Sequence, residues 1–222
     1  MNCLVTAGPT YEPLDAVRRL TNFSTGRLGS ELVNFLTAHG HDVTLLIGEQ
    51  ATWRGERHAR RVETFTTTAN LRDRLQALAS PAVGVVFHTA AVSDFTFGRV
   101  WCQPPQGGQT ELKSSKLPSR EGTLLAELVP TPKVIAELRP WFPKALLVGW
   151  KYEVEGDRAR AIHLAERQIA ECRTDACVAN GAAYGVGFGL VRGGDKATHL
   201  PDAAALFAAL EEFMREAPAP GE

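Results

Sequence analysis

Short unbroken apolar runs alternate along this chain with stretches in which apolar residues recur at helical period. The runs are Cys3-Leu4-Val5 before Gly8-Pro9, then residues 41–48, 62–65, 83–88, 145–150 and 175–180, and their Val, Ile, Thr and Phe content predicts buried strands. The periodic stretches predict helices. Residues 27–38 place Leu28, Leu32, Phe35 and Leu36 on one stripe and stop at Gly40. Residues 69–79, with Thr68 as cap, turn Leu71, Leu75 and Leu78 inward, and residues 157–171 carry Ala161, Leu164, Ala165, Gln168 and Ile169 on one side. Pro130-Thr131-Pro132 puts proline in the first turn of a short helix over 133–138, and Asp202 caps a last helix that runs through Phe213. Strand, helix, strand is the βαβ unit. The expectation is an α/β, Rossmann-like three-layer fold with a mostly parallel sheet, whose right-handed crossovers gather the loops after Ala7, His88, Trp150 and Val178 on one carboxyl edge.

The rhythm breaks at residues 98–122, where Gln103-Pro104-Pro105-Gln106-Gly107-Gly108-Gln109 lacks periodicity; a long flap is expected there. Residues 123–129 return to a strand pattern, and Leu190-Val191 with Ala197-Thr198-His199-Leu200 predict a hairpin around Gly193-Gly194-Asp195. Residues 53–61, five basic and one acidic, read as a solvated helix or loop without function. Residues 1–215 make one domain on this reading, with a frayed tail over 216–222.

The polar knot Asn22-Phe23-Ser24-Thr25-Gly26-Arg27 changes the picture from fold to chemistry. A glycine turn that opens a helix offers unpaired backbone N–H groups and a positive dipole end to an anion, most often a phosphate. Ser24 and Thr25 would add hydroxyls, Gly26 close backbone approach and Arg27 a rim charge; a plain hydroxyl cap on the helix is the alternative. Ala90 and Ala91 leave room beyond a central strand, and Asp94 after them can accept from a hydroxyl or amine. Asp94 as a loop cap is equally open. His88 reads as a core residue. Lys plus Arg number 24 against 25 Asp plus Glu, so a nucleic-acid or membrane surface is not the expected partner. Cys3, Cys102, Cys172 and Cys177 form neither a CxxC pair nor a metal pattern and read as reduced core or surface thiols. Without a leader pattern or an 18-residue apolar run, a soluble cytoplasmic protein is expected. The chain contains no Gly-x-Ser-x-Gly elbow, no His-x-x-His pair, no Walker lysine loop and no Gly-x-Gly-x-x-Gly.

Several segments together resemble a known family. They are Thr6-Ala7-Gly8-Pro9-Thr10, Glu12-Pro13-Leu14-Asp15-Ala16-Val17-Arg18, Asn22-Phe23-Ser24-Thr25-Gly26-Arg27-Leu28-Gly29, Ala90-Ala91-Val92-Ser93-Asp94, Val129-Pro130-Thr131-Pro132-Lys133, Val148-Gly149-Trp150 and Val178-Ala179-Asn180. Their order is similar to that of phosphopantothenate–cysteine ligase, the synthetase half of the bacterial coenzyme A flavoprotein. The resemblance implies a ligase that joins 4'-phosphopantothenate to cysteine through an acyl-nucleotidylate, with CTP or ATP as cosubstrate and Mg²⁺ accompanying it. It implies a catalytic Asn22 that handles the acyl intermediate and a flap lysine, Lys116 with Lys113 as the fallback, that acts on the intermediate or phosphates. It places Gly8, Thr10, Ser24, Thr25, Gly26, Arg27, Ala90, Ala91, Asp94, Trp150, Lys151, Glu153 and Asn180 at the nucleotide and substrate site, without a metal-ligand set. The segment Val148-Gly149-Trp150-Lys151-Tyr152-Glu153-Val154 replaces the two alanines of the bacterial V-G-F-A-A-E-T and is closer to the eukaryotic F-K-x-E-T, so CTP and ATP both stay open. Gln168 and Cys172 stand where many bacterial members have lysines, with Arg167 and Arg173 beside them. A homodimer is implied, as is a separate decarboxylase, since no flavin half is present in these residues. The alternative is a catalytically inactive nucleotide-binding paralogue that partners a flavin-dependent decarboxylase.

Overall fold

The computed structural model describes residues 1–113, 116–117, 122–194 and 197–216. In chain order the elements are β1 (Asn2–Ala7), β2 (Tyr11–Pro13), β3 (Arg19–Thr21), α1 (Arg27–Ala38), β4 (Asp42–Gly48), β5 (Arg61–Phe65), α2 (Thr68–Ala77), β6 (Val83–His88), β7 (Phe95–Gln103), β8 (Thr110–Leu112), β9 (Thr123–Pro130), α3 (Val134–Trp141), β10 (Leu146–Tyr152), α4 (Arg158–Cys172), β11 (Ala176–Asn180), β12 (Phe188–Arg192), β13 (Thr198–Leu200) and α5 (Ala203–Glu216). The main sheet has the order β13-β12-β11-β10-β6-β1-β4-β5. From β5 to β11 every pairing is parallel, and β12 and β13 add antiparallel strands at one end, as the terminal hairpin pattern predicts. The order reverses at β1, so the switch point lies between β1 and β6.

Strand alternation feeds two layers. Cys3, Val5 and Ala7 of β1 with Val85, Phe87 and Val178 meet Leu32, Val33 and Leu36 of α1 and Leu206, Leu210 and Met214 of α5. Leu4, Leu46, Val86 and Leu147 face the other way, onto Leu71 and Leu75 of α2 and Val134 and Leu138 of α3. Ala161 and Ala165 of α4 cover Cys177, Ala179 and Val191 on that same side. The three-layer α/β expectation therefore holds. All four cysteines are buried and none forms a disulfide; burial pushes the thiols of Cys3 and Cys177 up to about 12.

Four local readings change. Residues 98–122 are not structureless: β7, β8 and β9 form a three-stranded antiparallel sheet, with Val100 paired to both Leu112 and Ala126. The Pro/Gly tract is only the β7–β8 turn, and the buried alternation of Val100 and Cys102 is the signal that betrays β7. The polar knot contains a second small hairpin, β2–β3. The cap of α2 is Thr67, whose side chain accepts from the Asn70 N–H, because the Thr68 N–H is taken by Glu12 Oε1 at 2.9 Å. The short helix is α3, capped at Lys133; Pro132 lies before it, and Pro140 sits in its last turn. Of the expected tail, Glu216 belongs to α5 and pairs with Arg192, and residues 217–222 lie outside the described residues. So do Ser114, Ser115, Pro118 and Ser119 of the flap, and Asp195 of the hairpin turn.

Candidate functional site

The carboxyl edge around the switch point is tied together by backbone. Ala91 N–H donates to Gly8 O at 3.0 Å, Thr10 N–H to Ala91 O at 3.1 Å, and Pro9 and Ala91 form a parallel bridge. Asn22 reaches the same spot, its Nδ2 donating to Ala91 O at 3.1 Å while the residue stays exposed. Thr10 is fully buried: its hydroxyl accepts from the Ser93 N–H at 2.8 Å and lies 3.3 Å from Thr68 Oγ1. It joins three loops and has no face turned outward. One layer below, His88 Nδ1 lies 3.0 Å from Thr6 Oγ1, which accepts from the Ala90 N–H. Burial without a charged partner pushes the His88 imidazole down to about 4, which makes it the neutral core residue expected.

At the start of α1 the hydroxyl-cap alternative fails. The N-cap is Gly26, left-handed at φ 77°, and no side chain caps the helix. Thr25 Oγ1 instead accepts from the Arg27 N–H at 3.2 Å, the first N–H of the helix. The space a Gly26 Cβ would take is filled by protein, with Ala51 Cβ and Ile47 Cδ1 at 3.0 Å and Gly8 Cα at 3.3 Å. Gly26 is thus demanded by the turn and by packing on Gly8, and its bare Cα faces the protein, contrary to the close ligand approach expected. Arg27 leans along the helix to Glu31 at 2.7 Å. With the Arg27 N–H taken by Thr25, the N–H groups left at the start of α1 are those of Leu28 and Gly29, beside exposed Thr25 and half-buried Ser24.

Farther along the edge, Trp150 packs into the α1/α5 layer and meets Phe87 edge-on at 6.5 Å. Asn180 follows Val178 by two residues and so shares that face. Trp150 Nε1 and Asn180 Oδ1 are buried with no partner among the described residues, a donor and an acceptor whose hydrogen bonds are unmade. Lys151 points to the opposite face, beside Cys172 and Cys177, and pairs with Glu153 at 3.0 Å. The Glu153 N–H donates to Asn180 O. Gln168 Nε2 donates to Cys177 Sγ at 3.1 Å, Arg167 pairs with Glu171, and Arg173 ends α4 in a left-handed conformation.

The structure gathers Gly8, Thr10, Asn22, Gly26, Ala90 and Ala91 at one point, and Trp150 and Asn180 on the same face. Asp94 is exposed at the start of β7, and its carboxylate makes no hydrogen bond among the described residues. Lys113 and Lys116 are exposed on the flap. Leu117, next to Lys116, is buried against the β2–β3 connection, where its N–H donates to Asp15 Oδ2 at 3.1 Å and its carbonyl accepts from Arg18 at 2.8 Å. The flap lysine is thereby anchored to the hairpin that leads into Asn22. Asp15 is the hub: the Arg18 guanidinium above all, with the N–H groups of Leu117, Val17 and Arg18, holds its carboxyl well below the usual carboxylate range. The motif segment Glu12 to Arg18 marks both Asp15 and Glu12, but not what they hold, since Leu117 and the Thr68 N–H are remote in sequence. Two surface hollows, of about 360 and 310 Å³, lie at the opposite, amino edge and contain none of these residues. The carboxyl edge, with its exposed backbone and orphan polar atoms, is the candidate site.

Fold and edge together define a doubly wound α/β protein with an open helix N-terminus at its topological switch point. The family described as the DNA/pantothenate metabolism flavoprotein C-terminal domain matches residues 1–199, and the chain belongs to that family. It is 32% identical over 181 residues to the coenzyme A biosynthesis bifunctional protein CoaBC of Thermococcus kodakarensis, covering 80% of this chain and 40% of the relative. To the CoaBC of Bacillus subtilis it is 30% identical over 189 residues, 84% of this chain and 42% of that one. The chain spans about two fifths of the length of these curated relatives. In fold it is similar to the DNA/pantothenate metabolism flavoprotein from Streptococcus pneumoniae, with a TM-score of 0.82 at 24% identity over 97% of this chain and 98% of that one.

Proposed function

We propose that this chain is a phosphopantothenate–cysteine ligase that works through an acyl-nucleotidylate. The observation that carries the reading is the glycine-capped start of α1, held beside Asn22 and Ala91 at the switch point, in a chain whose family match runs through residues 1–199. A carboxylate is a poor electrophile. Its oxygen attacks the α-phosphorus of the nucleotide, the bond to the β-phosphate oxygen breaks, and pyrophosphate leaves; the cysteine amine then attacks the acyl carbon, loses a proton and displaces the nucleotide monophosphate. Negative charge grows first at phosphorus and then at the acyl oxygen, which is where fixed N–H donors help most. The α1 N–H groups, Ser24 and Thr25 receive a phosphate; the Asn22 amide, set on Ala91, is the donor for the acyl oxygen; Lys116 covers the intermediate from the anchored flap. Asp94 accepts from a substrate hydroxyl or amine, and Trp150 Nε1 and Asn180 Oδ1 offer one donor and one acceptor to a polar ligand.

At the positions that depart from the bacterial pattern, Arg167 and Lys133 both pair with Glu171, and Lys151, on the opposite face, pairs with Glu153. Mg²⁺ would arrive on the triphosphate, whose oxygens and water suit its octahedral shell. Among the described residues no helix is long and apolar enough to cross a membrane. Val17, Leu20 and Phe23 are exposed around the β2–β3 hairpin, and Phe95, Leu128 and Val129 are exposed on the sheet beside it; this apolar surface supports a homodimer. The test is pyrophosphate release by the purified protein with 4'-phosphopantothenate, cysteine and either CTP or ATP. Cysteine-dependent release with one nucleotide is expected. No release with either, together with a nucleotide-induced thermal shift, would leave the non-catalytic binding module and its decarboxylase partner.

A further inference from the structure

Residues 51–58 form a strap against α1. Ala51 fills the space between Gly8 and Gly26, and its N–H donates to Gly48 O at 2.8 Å. Asn34 on α1 grips the far end: its Nδ2 donates to Glu56 O at 2.8 Å and its Oδ1 accepts the His58 N–H at 2.8 Å. Between these ends a ring of hydrogen bonds closes on the anion loop. The Trp53 N–H donates to Thr25 O at 3.0 Å; Arg57 Nη2 donates to Trp53 O at 2.7 Å; Arg57 Nε donates to Ser30 Oγ at 3.2 Å; and the Ser30 N–H donates to Gly26 O at 3.1 Å. Ser30 is fully buried on α1, one turn past Gly26. The Arg57 guanidinium also lies 5.5 Å from the Trp53 ring centroid, and that ring folds over Gly55, where a Cβ would collide with it.

We propose that Arg57 is a positioning residue for the Ser24-Thr25-Gly26 loop, acting through Trp53 to hold the Thr25 carbonyl and so the direction of the first N–H groups of α1. The inference rests on the proposed function, in which that loop receives a phosphate. A guanidinium is suited to the task because its rigid fork spans a helix hydroxyl and a strap carbonyl while its face stacks on indole, three contacts that a lysine cannot make at once. Without Arg57 the strap carbonyl and the Ser30 hydroxyl lose their donor. The Thr25–Gly26 peptide keeps the bonds from the Trp53 and Ser30 N–H groups, but the strap that carries the Trp53 N–H is no longer tied to α1 by Arg57. A helix end acts on charge only within its first turn, so a small reorientation there weakens phosphate binding while the sheet beneath stays intact.

The experiment compares Arg57→Ala, Trp53→Ala and Trp53→Phe with the unaltered chain. Arg57→Ala is expected to raise KM for at least one of the two phosphorylated substrates about tenfold, as for the loss of one good hydrogen bond. KM for cysteine and kcat stay within twofold. Trp53→Ala follows Arg57→Ala, and Trp53→Phe, which keeps a ring under the guanidinium, stays near the parent. A lower Tm with all three KM values unchanged makes Arg57 merely structural and overturns the proposal, as does a uniform loss of rate that only mirrors lost folded protein. Should the alanine variants not fold, hydrogen exchange on the unaltered chain decides: inorganic pyrophosphate slows exchange over residues 51–58, and unchanged exchange overturns the inference. A parent chain that releases no pyrophosphate with CTP or ATP removes the proposed function instead, and the exchange result then judges the strap alone.

Discussion

Replacing Gly26 by alanine tests the tightest junction of the site. Gly26 sits at φ 77°, where an L-residue costs about 1–2 kcal/mol. Its new Cβ would also stand 3.0 Å from Ala51 Cβ and Ile47 Cδ1 and 3.3 Å from Gly8 Cα. Ile47 Cδ1 is the flexible end of a side chain and can yield, but Gly8 is backbone and Ala51 is pinned, so about 1–2 kcal/mol of overpacking adds to the strain. The sum is about 3 kcal/mol. Gly40, which ends α1 at φ 81° with nothing within 4 Å of its would-be Cβ, supplies the control: Gly40→Ala carries strain alone, about 1 kcal/mol. The assay is urea unfolding. With a slope of about 3 kcal/mol per molar, Gly26→Ala lowers the midpoint by about 1 M and Gly40→Ala by about 0.3 M, slopes unchanged. Equal shifts in the two variants would show that the Gly8–Gly26–Ala51 contact contributes nothing beyond turn geometry, and the account of the loop as a packed junction would be wrong.

Three further outcomes follow from the same contacts. His88 has a folded pKa of about 4 against an ordinary 6.5, so its contribution is whole above about pH 6.5 and shrinks as the pH falls towards 4. The loss at pH 5 is about 2 kcal/mol, measured as urea stability at pH 7 and 5, and His88→Gln should flatten that part of the slope; an unaltered slope refutes the assignment. Asp15→Asn weakens the grip on Arg18 and Leu117, so trypsin should cut at Lys116 faster than in the parent, and equal rates would show that the flap is held by something else. Asn22→Ala removes one exposed hydrogen bond to Ala91 O; stability should move by less than about 1 kcal/mol while pyrophosphate release falls about 100-fold, and a loss under threefold would deny Asn22 its role as donor.

The bounds of α1, 27–38, agree between pattern and structure because a helix that buries one stripe writes its period into neighbouring residues. The parallel strands were legible for a similar reason: a strand covered on both faces is apolar without interruption, as residues 83–88 are. What stayed hidden depends on residues distant along the chain. β7 is stabilised by pairing with β9, some twenty residues on, so a half-exposed strand beside a Pro/Gly turn passes for a loop. The basic stretch 53–61 looks solvated until Ser30 and Asn34 of α1 are seen to hold it. Gly26 reads as room for a ligand, yet Ala51 and Gly8 occupy that room. Sequence alone determined the alternating α/β order, the core faces and the candidate rim, because these follow from local periodicity and burial. Only the tertiary structure decided which glycine faces protein, which lysine the hairpin anchors and what packs against the Ser24-Thr25-Gly26 loop, because those contacts join segments that the chain order keeps apart.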